Sequence, residues 1–96
     1  MQIKSNIDIG NIGRMAEIAE IYETTRQTEK SEKYHELIIH ICDRHPKNER
    51  MLEFKINSLN HLKKQYKSLE TTRELLNLNS SNIYALINIS EYTMSN

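Results

Sequence analysis

The sequence predicts an all-α protein of about five helices, and three observations carry that reading. Helix breakers are scarce, with 2 glycines and 1 proline among 96 residues, in a chain rich in Glu, Lys, Leu, Ile and Arg, which a helix accommodates. Beyond position 14 the isoleucines and leucines recur at helical rather than alternating spacing. Two polar breaks, DRHPKN at 43–48 and NLNSSN at 77–82, stand 34 residues apart, and each can close one helix and open the next.

The elements follow in order. MQIKSNIDIG, with Ile3, Ile7 and Ile9, is expected to lead an arm over 1–13. A first helix near 14–27 carries Met15, Ile18, Ile21 and Tyr22. The polar run TTRQTEKSEK supplies a break near 28–31, and the apolar run HELIIHIC marks a second helix near 31–43. Pro46 suits the opening turn of a third helix near 48–61, because its missing N–H would find no partner there anyway. The polar HLKKQ places a break at 62–65 before a fourth helix near 65–78. A last helix near 82–94 follows a break at 79–81, with Ser80 or Ser81 accepting from its first N–H groups. Neither 14–44 nor 47–79 contains Gly or Pro, so a hairpin of two long helices is the alternative.

The tetrapeptide ETTR occurs at 23–26 and 70–73, a shift of 73 − 26 = 47 residues. That shift sets Ile18 on Gln65 and Ile21 on Ser68, so the shared letters belong to polar helix surface. A 34-residue shift brings apolar positions together: Ile18 with Leu52 and Leu86, Tyr22 with Ile56, Ile41 with Leu75, Cys42 with Leu76, and also Asn48 with Asn82.

A 34-residue helix–turn–helix unit closed by a Pro or Ser break resembles the tetratricopeptide repeat, TPR. The resemblance spans two units, about 13–46 and 47–80, and a trailing helix. It implies antiparallel hairpins stacked as a short right-handed solenoid over 14–96. The sequence departs from the family pattern at Lys55, at Tyr22 and Ile56 where a small residue is usual, at Tyr34 in the column it shares with Ser68, and at Thr72. In TPR stacks the first helices of successive units line a groove for a bound segment. Carried over, this gives Ala16, Ala19, Glu20 and Glu23, then Arg50, Phe54, Asn57 and His61, then Tyr84, Ile87, Asn88 and Glu91 as partner-binding residues. Phe54, Tyr84 and Ile87 are expected as an exposed apolar anchor. Asn57 matches the asparagine of TPRs that clasp a terminal carboxylate, but Glu53 stands where their lysine belongs, which points to an apolar or helical ligand.

Other chemistry is excluded on composition and spacing. Thirteen basic residues balance thirteen acidic ones, so global charge gives no attraction to nucleic acid or anionic membrane. A domain of this size buries roughly 60–65% of its unfolded surface, which leaves little room for a deep active site. Cys42 lies in an apolar run and is expected as a small core residue. His35, His40 and His45 are spaced by five, which turns each about 140° from the last, whereas metal pairs on one helix need three or four. Glu17, Glu20 and Glu23 form a solvated face. No nucleophile elbow, phosphate loop or metal motif occurs, so neither enzyme activity, cofactor nor metal is expected.

The expected function is that of a small cytoplasmic TPR-like adaptor or chaperone holding a protein or peptide segment. Chaperones of bacterial secretion systems are similar in size and fold. A nucleic-acid-associated regulator using Lys55, Lys63, Lys64 and Lys67, and a purely structural helical oligomer, are the alternatives. No stretch reaches the 18 or more apolar residues of a membrane span. The last helix carries Ile83, Tyr84, Leu86, Ile87, Ile89 and Tyr92 around much of its circumference. It is expected to pair with a second copy or with a helix of the partner.

Overall fold

In a computed structural model that describes residues 9–94, the chain forms five helices. They are α1 (Ile9–Thr24), α2 (Thr28–Asp43), α3 (Glu49–His61), α4 (Gln65–Leu78) and α5 (Ile83–Met94). No strand occurs among the described residues, and no helix there is long and apolar enough to cross a membrane. The expected arm over 1–13 lies partly outside the described residues; 9–13, with both glycines, open α1. The two-long-helix alternative fails, because the chain turns after Thr24 and again after His61.

Those two turns share one design. Arg26 N–H donates to the Glu23 carbonyl (3.1 Å) and Gln27 N–H to that of Tyr22 (2.8 Å). Lys63 N–H donates to the Asn60 carbonyl (3.0 Å) and Lys64 N–H to that of Leu59 (2.9 Å). This pair of bonds is the Schellman motif, which needs a left-handed residue at its first position beyond the helix. Arg26 (φ 65°) and Lys63 (φ 60°) supply it, at a position that usually falls to glycine. Without glycine to mark it, the first turn falls at 25–27, ahead of the expected break at 28–31, while the second lies within the expected break at 62–65.

The interhairpin breaks use a different device. Asn48 caps α3 by accepting from Met51 N–H (2.9 Å), and Asn82 caps α5 by accepting from Ala85 N–H (2.8 Å). Each satisfies one of the otherwise unpaired donors of a first turn. Asn82, not Ser80 or Ser81, is thus the cap of the last helix. Pro46 lies two residues before the Asn48 cap, outside the opening turn that the sequence suggested.

The equivalences are not uniform. The caps repeat at 82 − 48 = 34 residues, but the left-handed residues repeat at 63 − 26 = 37. The difference of three comes from α2, 16 residues against 14 for α4, and from a break after α2 (44–48) one residue longer than that after α4 (79–82). In the turn register Ser31 matches Ser68, both buried, whereas the 34-residue shift set Tyr34 there. The Ile18–Leu52–Leu86 column accordingly mixes a buried Leu52 with exposed Ile18 and Leu86.

Two apolar clusters share α3. Ile12, Ile38, Cys42 and Met51 join α1, α2 and α3, with Met15, Ala16, Ile41 and Phe54 packed against them. Leu52, Ile56, Leu75 and Ala85 join α3, α4 and α5, with Leu76 and Tyr84 alongside. Each fully buried aliphatic side chain contributes about 1.5–3 kcal/mol. Two buried threonines of α4 satisfy their hydroxyls locally: Thr71 donates to the Lys67 carbonyl (2.9 Å) and Thr72 to that of Ser68 (2.7 Å). These two threonines sit within α4, while the other ETTR copy ends α1, so the tetrapeptide marks no repeat.

The side chains of Arg26 and Lys63 are both exposed, and a left-handed conformation costs a non-glycine residue about 1–2 kcal/mol. Arg26→Gly and Lys63→Gly are each expected to raise stability, by about 1 kcal/mol after glycine's larger entropy in the unfolded chain is set against the relief. Urea unfolding checks this through a higher midpoint at unchanged slope.

Candidate functional site

Helix α3 presents Arg50, Glu53, Phe54 and Asn57 at spacings of three and four, and so on one face. With Tyr84 of α5 they line a cleft of about 240 Å³. Four expected binding residues (Arg50, Phe54, Asn57 and Tyr84) are thereby brought together, with Glu53 added. The Arg50 guanidinium lies 5.1 Å from the centre of the Phe54 ring, in cation–π geometry, and its Nη1 is 3.7 Å from Glu53 Oε1. Glu53 Oε2 also accepts from Asn82 Nδ2 (3.0 Å), which fixes one wall of the cleft to the α5 cap. Burial pushes the Tyr84 phenol up from its ordinary pKa, reinforced by the charges of Glu53 and Glu91, so it enters the cleft as a neutral donor.

Phe54 and Tyr84 differ from the exposed anchor that was expected. Both are half-buried: Phe54 packs on the first cluster and Tyr84 on the second. The cleft floor is therefore the seam between the two clusters. Ile87 lies outside it, 53% exposed beside exposed Ile83 and Leu86 on α5.

The remaining expected residues scatter. Ala19 is fully buried beneath the surface, where α1 meets its neighbours, and no partner can touch it. Ala16 is half-buried against the first cluster, and Glu20 is exposed. Asn88 is half-buried and bonded to neighbouring helices: its Nδ2 donates to Thr72 Oγ1 (2.7 Å) and its Oδ1 accepts from Asn60 Nδ2 (2.9 Å). Asn88 and Glu91 line a second, more polar cleft of about 320 Å³ with Asn60, Gln65, Ser68 and Tyr92. Lys55, counted in the basic cluster, is paired with Asp43 at 2.6 Å. That contact removes one of the four lysines on which a phosphate-binding face would depend.

A separate constellation joins three helices. His61 Nδ1 is 3.0 Å from Glu23 Oε1, and the His61 ring stacks on His35 with centroids 4.5 Å apart and planes 10° from parallel. His35 Nδ1 is hydrogen-bonded to Ser58 Oγ (3.0 Å), while its Nε2 is buried with no hydrogen-bond partner among the described residues. Glu23, His35 and His61 each offer a ligating atom within 4.8 Å of the others. Sequence spacing along one helix could not show this group, since each member comes from a different helix. The signal that existed was a histidine inside an otherwise core-forming stretch of α2.

Cys42 behaves as expected of a core residue: it is buried, and burial pushes its thiol up to about 11, with Asp43 adding to the effect and Lys55 opposing it. It is no nucleophile near neutral pH.

No protein-family model matches this chain, and comparisons with curated proteins and with solved structures find no similar one.

The His35 pKa is lowered, first by burial and then by the nearby His61, against an opposing pull from Glu23. The folded chain therefore binds fewer protons at this site than the unfolded chain does. Its contribution to stability is whole above about pH 6.5 and is lost as the pH falls below that value. In chelator-containing buffer, the thermal midpoint is expected to drop between pH 7 and pH 5. His35→Gln should flatten that drop; an equal drop in the variant would assign the acid sensitivity to other groups.

Proposed function

We propose that this chain is a small protein-binding adaptor or chaperone of TPR-like build, which seats an apolar side chain of a partner segment in the cleft between α3 and α5. The observation that carries the reading is the cleft itself: Arg50, Glu53, Phe54, Asn57 and Tyr84 converge on about 240 Å³ of space. That combination of two aromatic walls, an arginine and a few polar groups at the rim suits an aromatic or aliphatic anchor residue. The matched Schellman turns, the matched asparagine caps and the pair of buried serines, Ser31 and Ser68, support a repeat architecture. The exposed Ile83, Leu86 and Ile87 extend the apolar surface along α5, and the same reading has them covered by the partner or by a second copy.

Peptides selected from a random library against the chain are expected to shift the amide resonances of α3 and α5 around the cleft. Arg50→Glu and Asn57→Ala should weaken them at least about tenfold with little effect on stability, since neither side chain is part of the apolar clusters. Phe54→Ala should weaken them too, at a further cost of about 1–2 kcal/mol in folding because its ring also packs on the first cluster. Selected peptides that map to another face, or that bind the Arg50→Glu and Asn57→Ala variants unchanged, would remove the cleft from the function.

A further inference from the structure

We infer that Glu23, His35 and His61 form a binding site for a divalent transition-metal ion of the zinc type. The inference stands apart from the groove reading. Two imidazoles and one carboxylate are the donor set that favours zinc and its neighbours cobalt and nickel, whereas magnesium and calcium favour shells of oxygen. The three ligating atoms already lie within 4.8 Å of one another. In a tetrahedral site with bonds of 2.0–2.2 Å they would stand about 3.4 Å apart. Closing that difference falls to Glu23 and His61, which are exposed and free to turn; His61 leaves its stack on His35 as it does so.

His35 supplies the independent sign of a ligand. It is 2% exposed, and its Nε2 has no hydrogen-bond partner among the described residues. A buried polar atom without a partner is costly, and natural proteins rarely leave one. His35 Nδ1 is hydrogen-bonded to Ser58 Oγ at 3.0 Å, and in the tautomer whose Nδ1–H donates to that hydroxyl the Nε2 lone pair is left for a metal. Such a hydrogen bond behind a ligating histidine is usual in metal sites. Burial and the neighbouring His61 also keep His35 in the neutral form that ligation requires. Three protein ligands leave a fourth position open to water or to a donor from a bound partner. An ion held there would tie α1, α2 and α3 together.

The test uses the tag-free chain, stripped with EDTA and titrated with cobalt chloride and then zinc chloride. One equivalent of cobalt should bind with the visible absorption of a low-coordinate ion, and zinc should displace it. Zinc should raise the thermal midpoint and shift the imidazole resonances of His35 and His61. His61→Ala and Glu23→Gln, both on exposed side chains and so expected to fold, should each weaken binding by at least the roughly 10–100-fold that follows loss of a group behind a ligand. His40→Ala and His45→Ala should leave it unchanged. Absence of binding at millimolar metal, or binding that survives His61→Ala and Glu23→Gln, or binding that depends on His40 or His45 instead, would overturn the assignment.

Discussion

Burial of α3 on two sides is the constraint on which the rest of the structure depends. Met51 and Phe54 face the cluster made with α1 and α2, and Leu52 and Ile56 face the cluster made with α4 and α5. Because both clusters close on a 13-residue helix, neither half can shift without disturbing the other. Aliphatic side chains in such an interior interdigitate at near-crystalline density, so the two hairpins are held in one mutual arrangement. The cleft lies on this seam, with Phe54 from one cluster and Tyr84 from the other as its walls. Position and stability are thus properties of the same residues.

Polar contacts then specify the register that apolar contact alone leaves loose. Asn82 caps α5 through Oδ1 while its Nδ2 donates to Glu49 Oε1 (2.8 Å) and Glu53 Oε2 (3.0 Å) on α3. Asn79 adds a bond to the same Glu49 oxygen at 3.1 Å, and these two amides hold the Glu49 carboxyl below its ordinary pKa. At the other end of α5, Asn60, Ser68, Thr72 and Asn88 link α3, α4 and α5. A networked amide has few alternative partners, so it penalises a helix that slides by a turn. The last helix, with Ile83, Leu86 and Ile87 exposed, is positioned in part by these asparagines and by Ala85 and Tyr84.

At the end of the structure where α1 and α3 finish, the buried His35 replaces this economy of amides. Its Nδ1 is satisfied by Ser58, its ring is covered by His61, and its Nε2 is left for something else. Arg50 and Glu53 of the cleft find partners among the described residues, while one nitrogen of the histidine group does not. The two candidate sites therefore differ in kind: a pre-formed apolar cleft on the seam, and an unfinished polar constellation across three helices.

What the sequence determined by itself was the helical class and the spans of the last three helices, because apolar spacing and the scarcity of breakers act locally. The limits of α3 and α4 fell within a residue of the expected ones, and the Asn48–Asn82 match carried over as two caps with identical bonding. The first turn fell earlier than expected, since Arg26 takes a left-handed conformation that its side chain does not announce. Periodicity shows which residues share a helix face; it does not show what covers that face. Hence Arg50, Phe54, Asn57 and Tyr84 line one cleft, while Ala19 is buried and Asn88 bonded within the chain. Glu23, His35 and His61 lie on three helices and meet only when α1 and α3 pack over α2, so only the tertiary structure could decide their proximity.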